Sequence, residues 1–366
     1  MITLQHYNIK EKIYDGRQVQ VYRGIRKIDQ TAVILKILKD AQAPQQIAKL
    51  KQEYETLRRL NPGLDPEQRV IGVNEAYSLE EDQQHWVLVL EDLGGESLER
   101  LRLAGNLSII DFLHLALQIT DIVEQIHQQQ IIHKNINPSN IILNPTTGQV
   151  KLIDFEIAMP LAQQQASTRR SGSRPLEGTL AYISPEQTGR MNRDLDYRSD
   201  FYSLGITFYE LLTGQVPFAE DDTLAMIHSH LAQQPPSPTK LRAHIPEWVS
   251  DIIMTLIAKN VEDRYQSAQE LQQALHESLH LWQGEEQVDS VFITHQFDTI
   301  ENKSTKTFET ENLDLNTVVK AYQTISGEII LNHLLDKIMK IVIESAGAER
   351  GVLLLESEGE WLIGAE

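Results

Sequence analysis

Asn140 and Asp154 are the two side chains best placed to do chemistry together. They flank two short apolar runs, 141–143 and 150–153, separated by the turn sequence NPTTG at 144–148. A hairpin of that kind sets the residue before its first strand beside the residue after its second. An amide oxygen and a carboxylate at neighbouring strand ends suit two hard oxygen ligands sharing Mg²⁺. The stretch leading into the hairpin, IIHKNINPSN at 131–140, holds His133, Lys134, Asn135 and Asn137 between apolar neighbours. An amide such as that of Asn135 accepts a hydrogen bond from a hydroxyl but cannot take up its proton.

Composition limits what such a site can serve. The 366 residues, 41% hydrophobic, suffice for a full core and, on the usual length prior, for about two domains. A balance of 33 Lys and Arg against 52 Asp and Glu leaves a formal charge of −19. That charge repels polyphosphate backbones at long range and argues against nucleic acid as a partner. ATP stays open, because metal ions and a few local cations overcome an acidic average. With no cysteine, disulfides, thiolate metal sites and cysteine nucleophiles are excluded, which fits a cytoplasmic protein. No apolar run approaches the roughly 20 residues of a membrane helix, and the polar start MITLQHYNIKEK lacks a signal-peptide core.

The elements that must hold the site follow from periodicity. VQVYRGIR at 19–26 and TAVILKIL at 31–38 alternate as the strands of a twisted hairpin with its turn at 28–30. Lys36, taken alone, reads as a solvated strand-edge residue. Ile47, Leu50, Tyr54 and Leu57 make the apolar stripe of a helix that begins near Pro44, with Glu53 beside the stripe. After the breakers Asn61, Pro62, Gly63 and Pro66, strands are expected at 70–77 and 86–90, joined by an acidic turn at 80–82. Glu91 to Gly95 reads as a loop. Ser108 with Asp111 is an N-cap signature, and the wide apolar face from Phe112 to Ile126 marks a buried helix. Residues 157–174 are polar, with Ser167, Thr168, Arg169, Arg170, Ser171 and Ser173, and read as a mobile loop. SDFYSLGITFYELLTG is helical up to Gly214, and Ser267 with Glu270 caps a last helix through Leu271, Leu275 and Leu279.

Together, IIHKNINPSN and VKLIDFE resemble the catalytic loop and metal-binding segment of a protein kinase. In that family His-Arg-Asp-x-x-x-x-Asn supplies a base and one metal ligand, and Asp-Phe-Gly supplies the second ligand. His133, Asn140 and Asp154 match; Asn135 stands where the catalytic Asp belongs and Glu156 where the Gly belongs. VILK ends at Lys36 in the register of the family's Val-Ala-Ile-Lys strand, and Glu53 falls where helix C carries the Glu paired with that Lys. Tyr14, Gly16 and Val19 occupy the three phosphate-loop glycine positions ahead of Val21 and Tyr22, so only Gly16 survives, and a plain hairpin turn explains it equally. Glu91 falls at the hinge between lobes, where adenine would bond to the backbone. GTLAYISPEQ at 178–187 resembles the peptide-docking segment, Asp200 the buried Asp that anchors the catalytic loop, and Arg264 the Arg that pairs with Glu186.

The resemblance implies an α+β bilobal fold, with a mainly β N-lobe over about 1–92 and a mainly α C-lobe over about 93–283. It implies ATP with Mg²⁺ or Mn²⁺ as cofactors and a protein substrate or signalling partner. Lys36, Asn137 and the degenerate base position Asn135 would be catalytic. Gly16, Val21, Lys36, Glu53 and Glu91 would hold nucleotide, Asn140 and Asp154 metal, while Glu186, Asp200 and Arg264 would be structural.

The wording of INPSN and of EGTLAYISPEQTGRMNRDLDYRSDFYSLGITFYELLTG is similar to the large cyanobacterial multisensor serine/threonine kinases. Those continue into an ATPase module, a GAF domain and a histidine-kinase unit. Here 284–312 is an acidic polar linker, and no GxxxxGK[ST] occurs in the sequence. From 313 two amphipathic helices and the strand-like GVLLLE and WLIGAE are similar to the opening of a GAF domain. At 313–366 the piece is short of the roughly 100 to 150 residues of a domain, so it reads as a remnant, with a homodimer contact as the alternative. Two functions stay open: a nucleotide-binding pseudokinase with weak γ-phosphate transfer to Ser or Thr, and a fully active serine/threonine kinase. Asn135 favours the first, since a general base is worth about 10² to 10⁴ in rate. Glu156 is expected to strain a backbone position that Gly would relax.

Overall fold

In this computed structural model residues 2–61, 69–161, 177–190, 193–285, 353–357 and 360–365 are described. The chain opens with a strand that its sequence hides. β1 (Tyr7–Asp15) has only Tyr7 buried, so there is no period-two pattern to read. It pairs with β2 (Val19–Arg26) through two register shifts. β2 pairs in turn with β3 (Ala32–Leu38), the expected hairpin, with Val21 opposite Lys36. β4 (Ala76–Asp82) and β5 (His85–Glu91) complete a five-stranded antiparallel sheet in the order β1-β2-β3-β5-β4.

β4 starts later than its sequence suggests, because residues 70–75 are not strand and the acidic run belongs to β4 itself. The turn is Gln83 and Gln84, both left-handed at φ 49° and 68°. Two-residue hairpins usually mark such positions with Asn or Gly, and Gln carries no such signal. Asp82 is buried because its carboxylate accepts hydrogen bonds from the backbone N–H groups of Gln5 (2.9 Å) and His6 (3.1 Å).

One face of the sheet buries Val33, Leu35, Ile37, Val87 and Val89 with Leu4 and Tyr7. Leu38, Leu88 and Leu90 belong to the main core, which they share with Leu50, Leu57 and Leu60 of α1 (Pro44–Leu60). Lys36 therefore alternates with core residues and points toward the helix side.

The rest of that core is helical. α2 (Ile109–Gln128) is capped by Ser108, whose Oγ accepts from the Asp111 N–H at 3.1 Å, and it buries the expected apolar face. α3 (Arg198–Thr213) is buried along almost its whole length and stops at Gly214, left-handed at φ 83°. At Gly205 an added Cβ would come within 2.6 Å of Leu256, so α3 can lie this close to α6 only because that position lacks a side chain. α4 (Thr223–Ala232), α5 (Pro238–Leu241), α6 (Glu247–Leu256) and α7 (Ala268–Glu285) surround it. The Ser267 hydroxyl accepts from the Glu270 N–H at 3.1 Å at the start of α7.

Short strands line the junction between sheet and helices. β6 (Glu96–Ser97), β8 (Ile141–Leu143) and β9 (Val150–Leu152) form one sheet, and β7 (Ile131–Ile132) pairs with β10 (Met159–Pro160). The architecture is α+β, a sheet-built N-lobe and a helical C-lobe, as the sequence implies.

A second unit spans 299–366 and is described only as the antiparallel hairpin of β11 (Leu353–Ser357) and β12 (Glu360–Ala365). The linker expected over 284–312, beyond its first two residues, the two helices expected from 313, and 162–174 of the expected loop lie outside the described residues. Among the described residues no helix is long and apolar enough to cross a membrane.

Candidate active site

Lys36 is no solvated edge residue: it sits in the middle of a central strand and is 7% exposed. Its ammonium lies 2.7 Å from Glu53 Oε2 on α1 and 2.8 Å from Asp154 Oδ1, just past β9. Burial pulls the ammonium down, but the carboxylates of Asp154 and Glu53 outweigh it and hold Lys36 above the usual lysine range. For Glu53, burial is the larger influence and pushes the carboxyl up to about 7 against the attraction of Lys36. Burial also works against Asp154, and Lys36 overcomes it, leaving that carboxyl below its ordinary value. Asp154 is thus the ionised partner that the ammonium stabilises most.

The loop after β7 is fixed from beneath by Asp200 in the first turn of α3. Its two oxygens accept from the backbone N–H groups of His133 and Lys134, each at 2.8 Å, and His127 Nε2 lies 2.8 Å away. Lys134 needs this support, since it holds a left-handed φ of 69°. Burial lowers the His133 pKa and keeps the ring neutral. The neutral ring donates from Nε2 to the Ile153 carbonyl (3.1 Å) and accepts at Nδ1 from the Asn135 N–H (3.2 Å). This joins the loop to the strand that carries Asp154.

Asn135 uses both ends of its amide. Oδ1 accepts from the Thr179 N–H (3.1 Å) and hydroxyl (3.0 Å), while Nδ2 donates to Asp154 Oδ2 (3.2 Å). The carboxylate normally found at this position in the resembled family could make the first contact but not the second. Asn137 and Asn140 both donate to the Asn135 carbonyl, at 3.0 and 2.8 Å. The candidate catalytic and metal residues therefore converge on one spot, with Asn140 Oδ1 and the Asp154 carboxylate as hard oxygen donors. Among the described residues no group of three His, Asp or Glu could hold a metal ion alone. The pair fits Mg²⁺ of the kind completed by phosphate oxygens and water.

Glu156 departs from expectation. It is not in the left-handed region; Asp154 is, at φ 68°, so the strain expected at 156 is absent and the unusual backbone belongs to the metal candidate. Gly16 is not left-handed either, and the ring of Tyr14 covers the place where a side chain would stand. Val21 lies opposite Lys36 in the β2–β3 pairing. At Glu91 the backbone N–H donates to the Glu75 carbonyl (2.9 Å) and the carbonyl accepts from Asn74 (3.2 Å). The Glu91 carboxylate holds Lys151 at 2.5 Å, a contact between the end of β5 and β9. Arg264 Nη1 and Nη2 reach Glu186 Oε1 and Oε2 at 2.7 and 3.0 Å, fully buried, and Ser199 also donates to Glu186 (2.8 Å).

Sequence reasoning missed Thr179, Lys49 and Glu177. Lys49 lies 3.0 Å from Glu156, and Glu177 lies 2.7 Å from Lys134. Lys49 alone left a signal, standing four residues before Glu53 on the same helix face.

Residues 7–277 match the family model described as a protein kinase domain. The chain is similar to serine/threonine-protein kinase PknA of Mycobacterium tuberculosis, 32% identical over 271 residues, which cover 73% of this chain and 60% of that one. It is 32% identical over 199 residues to serine/threonine-protein kinase PrkC of Bacillus subtilis, covering 54% and 29% of the two chains. With serine/threonine-protein kinase PknB of Mycolicibacterium smegmatis it shares 37% identity over 145 residues, covering 40% and 22%. The chain thus spans less than two thirds of the length of each of these relatives.

Proposed function

The chain belongs to the protein kinase family, and from that premise we propose that it binds ATP with Mg²⁺ or Mn²⁺ and transfers the γ-phosphate to Ser or Thr of a protein partner only slowly. The observation that carries this reading is the state of Asp154. One oxygen is on the Lys36 ammonium and the other on the Asn135 amide. Lys36, held by Glu53, is the cation for the phosphates, and Asn140 with Asp154 is the donor pair for the metal. When bound, the nucleotide supplies the phosphoryl group and the metal offsets its charge. Asn135 can orient an acceptor hydroxyl through Oδ1 but has no basic site for its proton. The protein then signals largely through its nucleotide-bound conformation. The assembled Lys36–Glu53 pair favours a second reading, a fully active serine/threonine kinase, because phosphoryl transfer depends mostly on positioning and charge.

On the same reading 1–283 is the kinase-like domain, 284–312 a linker and 313–366 a GAF-like segment, an order similar to the multisensor kinases. The β11–β12 hairpin supports the last assignment. Its apolar residues suit a homodimer contact, and the lack of cysteine suits the cytoplasm.

Thermal unfolding with and without Mg-ATP tests the binding step. Ligand at 100 times its Kd adds about 2.7 kcal/mol to stability, so a rise in Tm that grows with nucleotide concentration is expected. No rise at millimolar nucleotide would contradict it.

A further inference from the structure

Glu156 stands where the family pattern has glycine, and its side chain has work to do. Oε1 lies 3.0 Å from Lys49 Nζ and Oε2 lies 3.9 Å from Lys36 Nζ. Lys49, Gln52 and Glu53 share one face of α1, at i, i+3 and i+4. All three reach the segment around Asp154: Lys49 to Glu156, Gln52 Nε2 to the Ala158 carbonyl at 2.9 Å, and Glu53 by way of Lys36. Lys36 alone faces the carboxylates of Glu53, Asp154 and Glu156, and Lys49 is the cation that balances the third.

We propose that Glu156 is a positioning residue that fastens α1 to the segment beyond Asp154 through Lys49, keeping Glu53 on Lys36 without covalent modification of the chain. Among the described residues, a glycine at 156 would leave the Gln52 bond and the Lys36–Asp154 contact as the polar links of this face. The Lys49 side chain is 40% exposed and that of Glu156 is 23% exposed. A pair exposed to that degree shifts an equilibrium by up to about fivefold and weakens as salt rises. The consequence for ligand rests on the nucleotide reading of the cleft; the contact itself does not.

Amide hydrogen exchange over 44–60 in the nucleotide-free full chain reads the opening of α1 directly. Lys49→Gln and Glu156→Gln are each expected to speed exchange there by about threefold to fivefold at low salt. The double variant should be no faster than either single one, Lys49→Arg should stay near wild type, and the differences should shrink at about 1 M salt. The Kd for Mg-ATP should weaken by the same factor in the two single variants. Unchanged exchange in both single variants, or effects that add in the double variant, would overturn the proposal. Faster exchange in a protein that binds no nucleotide would uphold the fastening of α1 and remove the nucleotide reading instead.

Discussion

Asn135→Asp is expected to raise γ-phosphate transfer by about 10² to 10⁴, the usual worth of a positioned general base. The backbone is already in place, since Asp200 fixes His133 and Lys134 and the Asn135 carbonyl anchors Asn137 and Asn140. The new carboxylate keeps the two bonds from Thr179 but loses the donor that now meets Asp154 Oδ2. Two carboxylates then face each other, a repulsion on the order of a few kcal/mol. The variant without metal should therefore melt below wild type, and Mg²⁺ or Mn²⁺ should restore it more than it stabilises wild type. Asp154→Ala should abolish the gained activity. Glu156→Gly is not expected to help, because no left-handed strain is relieved at 156 and the Lys49 contact is lost. A variant that regains its Tm with metal yet transfers no faster would show that the missing base is not what limits transfer.

The largest effect on stability is expected from Arg264→Ala. Two bonds from Arg264 to Glu186, at 2.7 and 3.0 Å, lie in the interior, and the guanidinium also donates to the carbonyls of Ala258 (2.8 Å) and Arg198 (3.0 Å). Removing the cation leaves a buried carboxylate whose remaining hydrogen-bond donor among the described residues is Ser199, a loss of about 3–5 kcal/mol. For a domain of this size that lowers Tm by roughly 10 °C. Glu186→Gln combined with Arg264→Met should recover part of the loss, since the stranded charge goes with it. Denaturant unfolding measures both, and a single-variant loss below about 1 kcal/mol would place the pair among those of surface type.

The fold was legible wherever one face of an element is buried. β3 carries a nearly continuous apolar run and α2 a broad apolar stripe, and both lie where the sequence places them. β1 was invisible because only Tyr7 turns inward, and β4 was misplaced because its buried Asp82 looks like a turn residue until Gln5 and His6 are seen to bind it. At the site, Asn140 and Asp154 were legible from the hairpin between them. Lys36 taken alone was not, and its pairing with Glu53 was legible only through the family resemblance; its contact with Asp154 exists only once α1 and β9 are packed against it. The double role of Asn135 depends on Thr179, 44 residues further on, and no local pattern carries that contact. The strain expected at Glu156 was misassigned by two positions, since Asp154 takes the left-handed φ.

A single-turnover assay of γ-phosphate transfer by the wild-type chain, with Mg²⁺ or Mn²⁺ and a generic Ser/Thr protein substrate, tests whether Asn135 limits this kinase. Transfer is expected to fall about 10² to 10⁴ below the roughly 1 to 100 s⁻¹ of ordinary protein kinases, while Mg-ATP still binds. A wild-type rate inside that range, left unchanged by Asn135→Asp, would contradict it.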